Sequence, residues 1–219
     1  MSPEPGTPAP RAAGRKAART RRRLLETARV VFSRASVDQV KVHDIADLAG
    51  VAVGTIYAHF DGKVGLALAC EGAVLDLLIR DLDVIKAEPS PIKRVLAAGD
   101  AYLQHVVRHP VGVRMASARA AYPGDELGNQ AAGSADLDRR MRSVLMGVAA
   151  DLKAAMDCGE IRRVPIDEAM IFIWGAWNGV AFMVARGDQL RVPPGTAARA
   201  LALGQELLLA GASPEQGAA

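Results

Sequence analysis

Two histidines, His105 and His109, stand four residues apart in the run His-Val-Val-Arg-His. On a helix that spacing puts both imidazoles on one face and suits a metal ion. No carboxylate or thiolate nearby completes a site, and His109 precedes Pro110 at an expected helix C-terminus, where an imidazolium is favoured in any case. No metal and no cofactor are therefore expected. Asp136 and Asp138 form a second pair, read as lying at a helix start, where the dipole favours acids. Cys70 and Cys158 make neither a disulfide framework nor a CxxC zinc ligand pair. The chain contains no nucleophile elbow, Walker loop, GxGxxG or HExxH, so an enzyme is not expected. What remains is cationic. Seven Lys and Arg lie between Arg11 and Arg23, and residues 1–63 hold 11 Lys/Arg against 6 Asp/Glu. Residues 64–219 hold 16 against 18. Such asymmetry suits a polyanion partner at one end, either nucleic acid or an anionic membrane surface.

The stretch 41–60, Lys-Val-His-Asp-Ile-Ala-Asp-Leu-Ala-Gly-Val-Ala-Val-Gly-Thr-Ile-Tyr-Ala-His-Phe, has the pattern of two short helices that cross steeply across a tight turn. Ala46 must be small, because the second helix passes over it. Gly50 must permit the turn. Ile45, Ala49, Val51 and Ile56 must be apolar to form a miniature core with the preceding long helix. This is the helix-turn-helix arrangement, whose second helix enters the DNA major groove.

The elements that position this motif follow from composition and periodicity. The 219 residues are 50% hydrophobic and 23% charged, with 4% aromatics and few period-two runs. That leans towards an ordered, helical chain. Residues 1–16 read as a disordered basic arm, 17–63 as the helix-turn-helix domain, 64–211 as a second helical domain, and 212–219 as a flexible tail. Helices are expected from about Ala17, where Leu24, Leu25, Ala28, Val31, Phe32 and Ala35 recur at helical steps, and near 63–86, 91–108, 110–121, 135–157, 166–186 and 195–210. Tyr122–Ser134 reads as a loop. No secretory signal is read at the start, and a reducing cytoplasm is the expected location.

Residues Thr20 to Leu68 resemble the N-terminal domain of the TetR/AcrR family of bacterial transcription regulators. The resemblance is carried by Thr20, Leu24-Leu25-Glu26-Thr27-Ala28 and Phe32, by Val42-His43-Asp44-Ile45-Ala46 and Ala49-Gly50-Val51, and by Gly54-Thr55-Ile56-Tyr57, His59-Phe60 and Lys63. Residues 69–219 resemble the family in helix number and length only. The resemblance implies an all-α homodimer with an N-terminal three-helix helix-turn-helix domain and a C-terminal helical ligand-binding and dimerisation domain. It further implies double-stranded operator DNA and a small-molecule inducer as partners, and most often repression. Carried over residue by residue, Thr55, Tyr57 and His59 would contact phosphates or base edges. Val53, Gly54 and Ala58 would face the groove floor. Lys63 would bring an ammonium to a phosphate, and Lys41 and His43 are candidate backbone contacts. Ala52, Val53 and Ala58 depart from the family, which often has a hydroxyl, a Lys and an aromatic there, and no hydroxyl cap precedes the second helix. A groove-facing surface poor in long donors shifts weight onto Arg15, Lys16, Arg19, Arg21, Arg22 and Arg23, with arginines of the arm entering a minor groove. The alternative is a non-specific or architectural DNA-binding protein that uses the basic arm.

In the second domain the candidate ligand-binding residues are Tyr102, His105, Met115, Met141, Met146, Trp174, Trp177 and Asn178, a set that suits an apolar or amphipathic molecule. Residues 169–185 are uncharged for 17 positions, short of the roughly 20 that a membrane span needs. They are read as an interface helix rather than a membrane segment. Gly175, Gly179 and Met183, with Leu201, Leu207 and Leu208 on the last helix, are the candidate dimer contacts.

Overall fold

The computed structural model describes residues 10–121 and 131–213. Among these it has nine α-helices and no strand: α1 (Pro10–Phe32), α2 (Val42–Ala49), α3 (Val53–Phe60), α4 (Lys63–Ile85), α5 (Pro91–Arg108), α6 (Pro110–Ala121), α7 (Ala131–Asp157), α8 (Ile166–Ala185) and α9 (Pro194–Ala212). The chain divides into two compact units, Met1–Cys70 and Glu71–Ala219, the boundary falling inside α4. The fold is all-α.

The first unit is built on one stripe of α1. Leu24, Ala28 and Phe32 recur every four residues and are buried, so they share a helical face. Ile45, Ala46 and Ile56 are fully buried beside them, and Val37 and Val40 close the core from the connecting segment. The first residues of α4 run so close to the end of α3 that a Cβ on Gly65 would stand 1.7 Å from the Phe60 carbonyl oxygen, so only glycine fits there.

The second unit is organised around α5, which packs against α6, α7, α8 and α9. Ser90 caps its start by accepting from the Lys93 N–H, and Pro91 occupies the first turn, where its missing N–H costs nothing. Val95, Ala98, Tyr102 and Val106 form its buried stripe. Trp177 of α8 lies so close over Gly99 that an added Cβ would meet its indole nitrogen at 2.6 Å. Polar ties fix the register of the bundle. Glu160 accepts from the Ile92 N–H at 2.7 Å, Arg94 donates to Asp151 at 2.8 Å, and Gln205 donates to the Leu96 carbonyl at 3.1 Å.

Two boundaries differ from the sequence reading. α1 begins at Pro10 rather than near Ala17, so residues 10–16, read as disordered arm, are helical. Pro at the first position and a run of Ala, Arg and Lys favour helix without any apolar period. α7 begins at Ala131, within the segment read as loop, and so Asp136 and Asp138 lie in its second turn, not at its start. The N-terminal residues 1–9, most of the loop and the tail from 214 onward lie outside the described residues.

Candidate nucleic-acid interface and ligand cavity

The turn between α2 and α3 is made by Gly50, which takes the left-handed conformation at φ 61° and ψ 45°. Its N–H bonds the Asp47 carbonyl at 3.0 Å, and the Val51 N–H bonds the Ala46 carbonyl at 3.0 Å. Those two bonds satisfy carbonyls that the end of α2 would otherwise leave open. Neither Lys41 nor Ala52, the residues before α2 and α3, makes a side-chain cap, as their types dictate. Ile56 and Phe60 point α3 inward. Gly54, Tyr57 and Ala58 are exposed, while Val53, Thr55, His59 and Lys63 are half-buried. Tyr57 packs one ring edge against Gly62 yet remains 55% exposed.

The cations around this helix are partly engaged within the unit. The Arg21 guanidinium lies 5.0 Å from the centre of the Phe60 ring, a cation–π distance. Arg23 reaches the Gly50 carbonyl and Lys63 the Asp38 carbonyl, each at a long 3.5 Å. Arg22 faces Glu26 at 3.7 Å, and His43 bonds Asp47 at 2.9 Å. Arg19 and Lys41 are exposed, as are Arg15 and Lys16 on the added turns of α1. A helix roughly 10 Å across cannot enter a minor groove roughly 6 Å wide. Arg15 to Arg23 all lie on α1, so they would approach a minor groove through their side chains and not through an extended backbone, and residues 1–9 hold no Lys or Arg.

In the second unit a cavity of about 350 Å³ opens between α4, α5, α6, α7 and α8. That is within the usual size range of small-molecule sites. Of the expected ligand residues, Tyr102, His105, Met141, Trp174 and Asn178 line it. Tyr102 donates its hydroxyl to Asn178 Oδ1 at 2.9 Å, Asn178 donates to the Trp174 carbonyl at 2.8 Å, and the Tyr102 and Trp174 rings stand 5.2 Å apart. Burial pushes the Tyr102 hydroxyl pKa well above its ordinary value, so it stays a donor. The other three expected residues lie elsewhere. Met146 is 67% exposed on the outer face of α7, Met115 is packed in the core, and Trp177 is spent on its seat over Gly99, so none of them lines this cavity. Of the candidate dimer contacts, Leu201 is 5% exposed and belongs to the core of its own unit, whereas Gly175, Gly179, Leu207 and Leu208 are exposed and Met183 is half-buried.

The sequence reading missed a charged group on the cavity wall. Arg119 of α6 donates to Glu71 of α4 at 3.1 Å, to Asp138 of α7 at 2.6 Å and to Ser134 at 3.0 Å. Glu71 is buried, and that burial raises its carboxyl pKa against the opposing pull of Arg119. It also missed Ile171, Phe172, Phe182 and Leu203, which stand exposed on α8 and α9. By length and composition α8 is apolar enough to cross a bilayer. Among the described residues no cluster of His, Cys, Asp and Glu has the makings of a metal site.

Residues 24–70 match the family model described as bacterial regulatory proteins, tetR family. The "Probable acrEF/envCD operon repressor" of Escherichia coli strain K12 is 26% identical over 168 residues, which cover 75% of this chain and 76% of the relative. Solved structures share the fold. The ketosteroid transcriptional regulator KstR2 of Mycobacterium tuberculosis aligns over 89% of this chain and 95% of its own, at 22% identity and a TM-score of 0.70. The transcriptional regulator FadR of Bacillus subtilis, solved with stearoyl-CoA, aligns over 86% and 97% at 17% identity and a TM-score of 0.69. AibR, solved with isovaleryl coenzyme A and operator DNA, aligns over 84% and 97% at 18% identity and a TM-score of 0.66. With the helix-turn-helix in place and its segment matched, residues 24–70 form a DNA-binding domain of the tetR family of bacterial regulatory proteins.

Proposed function

We propose that the protein is a ligand-released repressor. Two copies place one α3 each in the major groove of a palindromic operator, and the complex leaves the DNA when a small apolar or amphipathic molecule fills the cavity. The carrying observation is the α2–Gly50–α3 unit, which buries Ile45, Ala46 and Ile56 on one side and leaves Gly54, Tyr57 and Ala58 exposed on the other. In this reading Tyr57, Thr55 and His59 meet phosphates or base edges, and Val53, Gly54 and Ala58 meet the groove floor. Lys41, His43, Lys63, Arg19, Arg21, Arg22 and Arg23 meet the backbone. Residues 17–63 are the DNA-binding domain, and 64–211 bind ligand and dimerise. Since α4 contributes Lys63 to the first and Glu71, Val74, Leu75 and Leu78 to the cavity, it is the element on which occupancy acts.

A second reading rests on the same helix. Its groove side carries Gly54 and Ala58 rather than long donors, which suits binding driven by the α1 cations without sequence preference. Selection from random duplexes at physiological salt separates the two. The repressor reading predicts a palindrome with half-sites about one helical turn apart or more. Tight binding without any recovered motif overturns it in favour of the architectural reading.

A further inference from the structure

The polar groups on the cavity wall are unequal in what they have left to offer. Tyr102 gives its proton to Asn178, and Asn178 gives an amide proton to the Trp174 carbonyl. Arg119 shares its guanidinium between Glu71, Asp138 and Ser134. Two carboxylates therefore already offset one cation. Glu71 Oε1 takes the Arg119 bond, while Glu71 Oε2 is buried with no hydrogen-bond partner. The Arg119 Nε–H is also without one, but it belongs to that same neutralised guanidinium. The further titratable groups lining the cavity are His105 and Tyr102. Apart from the Ser117 hydroxyl, the rest of the wall is mainly apolar, with Val74, Leu75, Leu78, Leu137 and Met141.

From this we infer that the cavity takes an amphiphile with a cationic amine head and an apolar body, its ammonium donating to Glu71 Oε2, and that it discriminates against carboxylates and acyl thioesters. An anionic head would face two carboxylates whose one guanidinium is already spent, and burial magnifies that repulsion. An ammonium instead completes a buried acceptor that is otherwise open, and an unsatisfied buried charged group is what a structure gains most by pairing. The inference rests on the cavity being the inducer site, and it departs from the acyl thioesters found in AibR and FadR.

Three probes of one chain length test it at pH 7: octylamine, 1-octanol and octanoate. Binding is read by tryptophan fluorescence, since Trp174 lines the cavity, and by calorimetry. On the wild-type chain octylamine is expected to bind at least about ten-fold more tightly than octanoate, the scale of one charged hydrogen bond. Glu71→Gln should lower octylamine affinity by about ten-fold and leave 1-octanol within about two-fold. Asp138→Asn, at a half-exposed carboxylate, should narrow the amine-to-octanoate ratio and keeps the test open if Glu71→Gln fails to fold. Octanoate binding as tightly as octylamine overturns the inference, as does failure of all three probes to bind. The inducer role is scored separately, on the duplex recovered by selection. Octylamine that binds without loosening that duplex leaves the ligand class standing and overturns the release mechanism.

Discussion

Glu71 is held out of water by its neighbours without a full set of hydrogen bonds, and this has a measurable cost. Burial raises its carboxyl pKa above the ordinary 4.5. A carboxyl that holds its proton more tightly folded than unfolded stabilises the chain most at low pH, and that contribution is lost as pH rises from about 4.5 through the raised value. Glu71→Gln removes this dependence. The variant's stability deficit against wild type should therefore be larger at pH 4.5 than at pH 7.5, read from urea midpoints, and a deficit that grows with pH would contradict the assignment. Tyr57 presents the opposite situation, a large side chain left exposed on α3 with its ring edge against Gly62. Tyr57→Ala should weaken operator binding by about 1 kcal/mol or more while moving the melting temperature little, since the side chain gives up little burial. Sequence reasoning reached Tyr57 but not Glu71. Tyr57 sits in a contiguous motif whose geometry is local. Glu71, Arg119 and Asp138 come from three helices, 48 and 19 positions apart, and each alone reads as an ordinary solvated charge.

At the scale of elements, what was legible was whatever the chain writes locally. Pro91 and Pro110 mark helix starts, Gly50 marks the turn, and the apolar steps of α1 mark its buried face. What failed was the N-terminal end of α1. Its first turns carry cations and alanines with no apolar stripe, so periodicity has nothing to register there although helix propensity is high. The longer α1 bears on a prediction. A disordered arm would follow the DNA into a minor groove, whereas a helix presents Arg15, Lys16 and Arg19 as an exposed surface for phosphates. Replacing all three with Ala should weaken binding to every sequence alike and flatten the slope of log affinity against log salt by up to about three. A loss of sequence preference at unchanged salt slope would place these side chains on base edges instead.

For the whole molecule, the question is what covers the apolar face of α8 and α9. At 100° per residue, Ile171, Phe172, Gly175, Gly179 and Phe182 lie within roughly 100° of arc on α8, opposite the buried Trp177, Ala181, Val184 and Ala185. Leu203 and Leu207 continue the exposure on α9. A Cβ on Gly175 or Gly179 meets nothing within 4 Å in the same chain, so these glycines are not demanded by internal packing. They make sense where a second backbone must approach closely. Two copies related by a two-fold axis would bring α8 and α9 together as a four-helix bundle, each stripe meeting its own counterpart. Gly179→Leu puts four carbons into that contact and leaves the interior of the single chain untouched. It should sediment as a monomer with its helical content and melting behaviour largely kept. Its affinity for a palindromic duplex should fall about a hundred-fold or more, because the second half-site no longer binds as part of the same particle. A Gly179→Leu protein that still sediments as a dimer and still holds its operator would move the two-fold contact off this stripe.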